Sequence, residues 1–239
     1  MDSSARKMTG PKHLALILLF AAFTGAAAAA PIFLSPDDYN PGTLLPPPPP
    51  EESPAAKAEL AELDRIQSER TPAAFARADR DFKTRNGTIF QNAIGPGFDL
   101  PKLPATAKLL ADVGTDEDTA ATAAKDFFKR ERPWLTDKQL KSCSQADAPL
   151  SAYPSGHATM AYAMAVVLAS LIPAKGQAIM ARAADYSENR LVCGMHRRRD
   201  IQAGQVLGTA VAEILLRKPA FQPEYQAARR ELAGAHLAP

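Results

Sequence analysis

Apolar positions recur along most of this chain at helical spacing, and the polar breaks between them divide it into successive helices. From Ala55 onward, Leu60, Leu63 and Ile66 mark one apolar face among Glu and Lys residues. Thr71 and Pro72 have the form of a helix start, with Thr as the cap and Pro at the first helical position; Phe75 and Phe82 then lie two turns apart. Residues 92–98 (NAIGPGF) read as a loop, and Leu103 to Val113 as a short helix closed by Gly114. Thr115 and Asp118 resemble a capping box that opens a new helix running to about Glu131, with Lys125 and Arg132 near one face of its C-terminal end and Pro133 stopping it. Ser155 caps a helix over 156–172, whose apolar face is Met160, Met164, Val167, Leu168 and Leu171. Further helices follow over about 174–192, 200–217 and 223–233. In the second of these, Leu207, Val211, Ile214 and Leu215 face inward, and Gly204 and Gly208 allow a neighbouring helix to come close. No segment alternates with the two-residue period of a sheet. The predicted fold is therefore all-α, a single helical bundle, and 46% hydrophobic residues suffice for its core.

The first 54 residues depart from this pattern. Residues 31–54 hold the five-proline run Pro46 to Pro50 and predict an extended arm that wraps the domain, packs on a partner subunit or stays loose. Residues 1–30 read as a signal peptide: Arg6, Lys7 and Lys12 form a basic start, residues 14–22 (LALILLFAA) a short apolar stretch, and residues 25–30 (GAAAAA) a small-residue cleavage region. The expected organisation is thus a signal peptide over 1–30, a proline-rich arm over 31–54 and an all-α domain over 55–239, periplasmic or secreted. The mature chain is expected to make no membrane association, since it has no other stretch of about 20 apolar residues. In an oxidising compartment the only two cysteines, Cys143 and Cys193, are expected to pair.

Charge narrows the function. Residues 1–30 hold three of the 28 basic residues and one of the 26 acidic ones, so the remainder is balanced at 25 of each. A balanced chain lacks the footprint of a nucleic-acid binder. Its distinctive polar residues fall in three clusters: 125–133 (KDFFKRERP), 154–157 (PSGH) and 190–200 (RLVCGMHRRRD). Lys125, Arg132 and Arg190 supply fixed cations for the non-bridging oxygens of a phosphate ester. The amides after Ser155 open a helix, a natural anion site, and Gly156 lets the backbone approach the ligand. His157 and His196 divide the remaining work between a general acid and a nucleophile. Asp200, one turn after His196, is placed to orient its imidazole. Arg197 to Arg199 form either a solvated helix start or a positive rim.

These clusters resemble the signature of the phosphatidic acid phosphatase type 2 superfamily, Lys-x6-Arg-Pro, Pro-Ser-Gly-His and Ser-Arg-x5-His-x3-Asp, in order and spacing. The signal peptide and the stretch NRLVCGMH make the chain similar to the bacterial class A non-specific acid phosphatases. The resemblance implies a broad phosphomonoesterase in which His196 forms a phosphohistidine, Asp200 is its partner and His157 is the general acid. Lys125, Arg132, Ser155, Gly156 and Arg190 would bind phosphate. It implies small-molecule phosphomonoester substrates, no metal or other cofactor, and a homodimer. The departure from the pattern is Asn189 where the family usually has Ser. Two other readings share these residues: a vanadium-dependent haloperoxidase-like enzyme, and a non-catalytic phosphate-binding protein that would need the cations but not the His196–Asp200 pair.

Overall fold

The computed structural model describes residues 30–238; the signal-peptide reading of residues 1–30 falls outside them, apart from Ala30. In chain order its α-helices are α1 (Pro41–Leu44), α2 (Pro54–Glu69), α3 (Pro72–Lys83), α4 (Gln91–Ile94), α5 (Pro104–Phe128), α6 (Pro133–Thr136), α7 (Gly156–Leu171), α8 (Gly176–Val192), α9 (Arg198–Arg217) and α10 (Gln222–Gly234). No strand occurs among the described residues. The fold is all-α, as the periodicity predicts.

Helix α7 is the axis of the bundle. Met160, Met164, Val167, Leu168 and Leu171 are all buried, and so are Ala161, Ala163 and Ala165 on its other sides. A helix that is apolar all round has to be enclosed, and α5, α8 and α9 surround this one. The tightest approach is to α9. A Cβ on Gly204 would lie 2.5 Å from the Ser155 carbonyl oxygen, and one on Gly208 would lie 2.2 Å from that of Thr159. Both collisions are with backbone, so neither position tolerates a side chain at this separation.

Four sequence expectations need correction. Gly114 does not end a helix: α5 is continuous from Pro104 to Phe128. Thr115 is not a cap, since its hydroxyl donates back to the Ala111 carbonyl at 3.2 Å. A mid-helix glycine costs only about 1 kcal/mol. Burial of a single large apolar side chain contributes about 1.5–3 kcal/mol, and Leu109, Leu110 and Val113 are all buried just before it. The helix also stops at Phe128, short of Glu131, because Lys129 takes a left-handed conformation (φ 50°). Arg132 is extended, as a residue before proline should be, and Pro133 opens the single turn of α6. The 92–98 segment likewise begins within the short α4.

The proline-rich arm wraps the bundle. It contains single turns at Pro36–Tyr39 and Pro41–Leu44, and the five-proline run is without regular structure. Leu34 and Leu45 join the main core. Asp116 accepts from the Ile32 and Phe33 amides at 2.6 and 3.1 Å, and the Pro46 carbonyl accepts from the Tyr153 hydroxyl at 2.5 Å.

Cys143 and Cys193 form a disulfide across 50 residues, with Cα atoms 5.1 Å apart. It fastens the loop that leads toward Ser155 to the end of α8. The double variant Cys143→Ser/Cys193→Ser is expected to lose about 4 kcal/mol on the chain-entropy model. Denaturant unfolding of the variant against the oxidised protein measures that loss.

Candidate active site

The three clusters meet where the C-terminal end of α5, the 147–151 loop, the start of α7 and the turn before α9 converge. They enclose a cavity of about 360 Å³ whose wall includes Arg85, Lys125, Arg132, Gly156, His157 and His196. Of the predicted site residues, five are thus in the wall. Ser155, Arg190 and Asp200 are buried outside it.

His196 is held in one tautomer. Its Nδ1 lies 2.8 Å from the Ala152 carbonyl oxygen, which can only accept. Its Nε2 lies 3.1 Å from Nη1 of Arg132, which can only donate. The proton is therefore on Nδ1 and the lone pair on Nε2. Burial, then Arg132 and Arg190, pushes the imidazole pKa well below its ordinary range, so the ring stays neutral in mild acid. The partner that fixes the tautomer is the Ala152 carbonyl, where the sequence spacing pointed to Asp200. The Asp200 carboxylate is 3.6 Å from Nδ1, close enough to stabilise an imidazolium without bonding the neutral ring. Its oxygens are instead taken by Nη1 of Arg130 at 2.7 Å and the Arg197 amide at 2.8 Å.

His157 has the opposite tautomer. Its Nε2 donates to the Phe82 carbonyl at 3.1 Å, which leaves the Nδ1 lone pair free to carry a transferable proton. The ring lies nearly parallel to Phe82 and Tyr186, with centroids 6.0 and 5.9 Å away. Burial, then Arg190 and Arg85, lowers its pKa well below the ordinary value.

Cations dominate the rest of the site. Lys125 is pushed down to about 8 by burial, with Arg132 and Arg85 adding to the effect. Arg132 is anchored by Ser151 at 3.0 Å and Asp147 at 2.8 Å. Arg190 is 1% exposed and lies over the Phe82 ring at 5.2 Å. None of its three side-chain nitrogens has a hydrogen-bond partner among the described residues. An unpaired buried guanidinium is costly, and a bound anion is the ordinary compensation. Gly156 leaves room for the cations: a Cβ there would lie 3.0 Å from Nζ of Lys125 and 3.4 Å from Nη2 of Arg85, so a side chain would push on the two cationic ends. Ser155 is the α7 cap, with Oγ accepting from the Ala158 amide at 3.4 Å.

Several participants escaped the sequence reading. Arg85, which pairs with Asp118 at 2.6 Å, sits in a loop with no periodic or motif signal. Arg130, buried against Asp200 and Glu59, lies inside the first cluster, and its surplus charge beside Arg132 was the available clue. Asn189 now has a role: its Nδ2 donates to Asp81 at 2.7 Å, tying α8 to α3 behind the site. Arg197 is neither solvated nor part of a rim. It is fully buried, bonding Glu51 at 3.0 Å and Thr136 at 2.8 Å. Arg198 is occupied by Glu62 at 2.7 Å and by Glu188.

A helical bundle closing over a cationic cavity with two complementary imidazoles has the chemistry to hold an oxyanion. The model of the PAP2 superfamily matches residues 107–222 of this chain and so spans all three clusters. It is 32% identical over 148 residues to an acid phosphatase of Zymomonas mobilis, covering 60% of this chain and 55% of that protein. It is 29% identical over 162 residues to a non-specific acid phosphatase of Salmonella typhimurium, covering 66% and 65% of the two chains. It is 28% identical over 224 residues to that of Salmonella typhi, covering 91% and 90%. The match therefore spans less than two thirds of the length of the first two relatives. Its fold is similar to that of a transmembrane PAP2-type phosphatidylglycerolphosphate phosphatase from Bacillus subtilis, with a TM-score of 0.51 at 16% identity, covering 69% of this chain and 86% of that one. Among the described residues no helix is long and apolar enough to cross a membrane.

Proposed function

We propose that this chain is an exported acid phosphatase that hydrolyses phosphomonoesters through a phosphohistidine. The observation that carries the reading is the buried Arg190 guanidinium, unpartnered among the described residues, behind a cavity whose wall carries Lys125, Arg132 and His196 with its Nε2 lone pair directed at Arg132. Phosphate would lie among these cations and the Gly156 amide. Nε2 of His196 attacks phosphorus as the P–O bond to the alcohol breaks, and the leaving oxygen takes the proton from Nδ1 of His157. Water then attacks the P–N bond and gives a proton back to His157, which releases inorganic phosphate. Asp200 stabilises the positive charge on His196 between the two steps. The donor set is cationic and would repel a metal ion, so the chemistry proposed needs none.

An acidic optimum follows from the two imidazoles. His196 must be neutral, and its lowered pKa keeps it so in mild acid. His157 must enter protonated; burial, then the Arg190 and Arg85 charges, lowers its pKa, and a phosphate dianion beside it acts in the opposite direction. Hydrolysis of p-nitrophenyl phosphate in EDTA, followed against pH, tests the reading. The expected result is full turnover in EDTA, with kcat falling as pH rises and His157 loses its proton. Loss of turnover in EDTA, or none at any pH, would overturn it.

A further inference from the structure

A second cavity, of about 420 Å³, adjoins the first, and its wall is largely apolar: Leu100, Leu110, Ala111, Gly114, Met160 and Met164. The same two helices build both cavities. Along α5, Ala111, Gly114 and Asp118 line the apolar cavity and Thr122 and Lys125 line the cationic one. Those spacings of three and four residues are one continuous helical stripe. Along α7, His157 lines the cationic cavity and Met160 and Met164 line the apolar one, again on one face. Arg85 lines both, held at the junction by Asp118. The two cavities therefore follow one another along the same helical stripes, with Arg85 common to both walls and His157 one helical turn from Met160.

That position settles the direction. The alcohol of a bound ester leaves on the side of the general acid, away from His196. From His157 the groove continues past Met160 to Met164, a reach of about 10 Å at the helical rise per residue, enough for a ring or a chain of roughly six carbons. Its acidic neighbours add no free charge: Asp118 is committed to Arg85, and Glu117, also in the wall, has its carboxyl pKa pushed up to about 8 by burial and is neutral in mild acid. A neutral occupant leaves this balance undisturbed.

We propose that this groove is the leaving-group subsite and that it takes the neutral, apolar body of an aryl or medium-chain alkyl phosphomonoester. The proposal rests on the phosphomonoester reading of the cationic cavity, but binding alone tests it. n-Alkylphosphonates from methyl to octyl, titrated calorimetrically into the full chain, place the headgroup among the cations and the chain in the groove. Affinity is expected to rise about fourfold per methylene up to roughly six carbons and then level off. Ala111→Phe, at an exposed position on α5, narrows the groove and is expected to flatten the series from the short members onward, with circular dichroism confirming the fold. A flat series in the unsubstituted protein, or an unchanged gradient in A111F, would overturn the subsite. A rising series in a protein that turns over no ester would keep the subsite and refute the phosphatase.

Discussion

His196→Ala is expected to reduce phosphomonoester turnover by about 10⁴- to 10⁶-fold, the loss typical of removing a covalent nucleophile. The geometry makes a finer comparison possible. The neutral ring is oriented by the Ala152 carbonyl at 2.8 Å, with Asp200 at 3.6 Å and bound elsewhere. Asp200→Asn should therefore leave the resting tautomer intact while removing the charge that stabilises the imidazolium and weakening the buried Arg130 pair, which keeps Glu59 as a partner. Its loss should fall well short of that in H196A, at about 10²- to 10³-fold. Rapid-quench kinetics with ³²P-labelled substrate separates the two variants. D200N should still form an acid-labile phosphoenzyme, more slowly, and H196A should form none. Equal losses in both variants would mean that Asp200, not the carbonyl, sets the ring.

The parts of this site legible in the sequence are those whose signal is local. Thr71 and Ser155 cap helices as read, because a cap depends on the side chain and the next few amides. Gly204 and Gly208 were legible for the same reason: two missing side chains one turn apart predict a close backbone, and the α7 carbonyls are there. The break placed at Gly114 failed because a local cost near 1 kcal/mol was outweighed by core contacts from distant segments, which the local pattern does not carry. Arg197 failed in the same way. Arg199 is exposed, but Arg197 and Arg198 look solvated only until Glu51 from the arm and Glu62 from α2 are folded against them. Arg85 left no trace at all, since a loop residue acquires its role only when α5 and α7 come together beside it. The three clusters contain six of the wall's residues, but the order in which each imidazole uses its two nitrogens depends on the Ala152 and Phe82 carbonyls, which no side-chain pattern reveals.

Arg190→Met is expected to act in opposite directions on stability and binding. Without an anion, the wild-type guanidinium is fully buried beside Arg132 and Arg85, with its pKa lowered to about 10 chiefly by burial. Methionine keeps the contact with Phe82 and removes a charge that the fold does not compensate, so the phosphate-free variant should be more stable by about 1–3 kcal/mol. The same substitution deletes the donors that a bound anion would satisfy, and phosphate affinity should fall by about 10²- to 10³-fold. Thermal melts with and without phosphate read both effects. R190M should melt above wild type in phosphate-free buffer, while the upward shift that phosphate gives wild type should nearly disappear. The crossing of the two curves with rising phosphate is the diagnostic result, because a purely structural arginine would lower the melting temperature at every phosphate concentration. It also accounts for Arg190 remaining unpaired: an internal carboxylate partner would stabilise the resting fold and occupy the donors that the substrate needs.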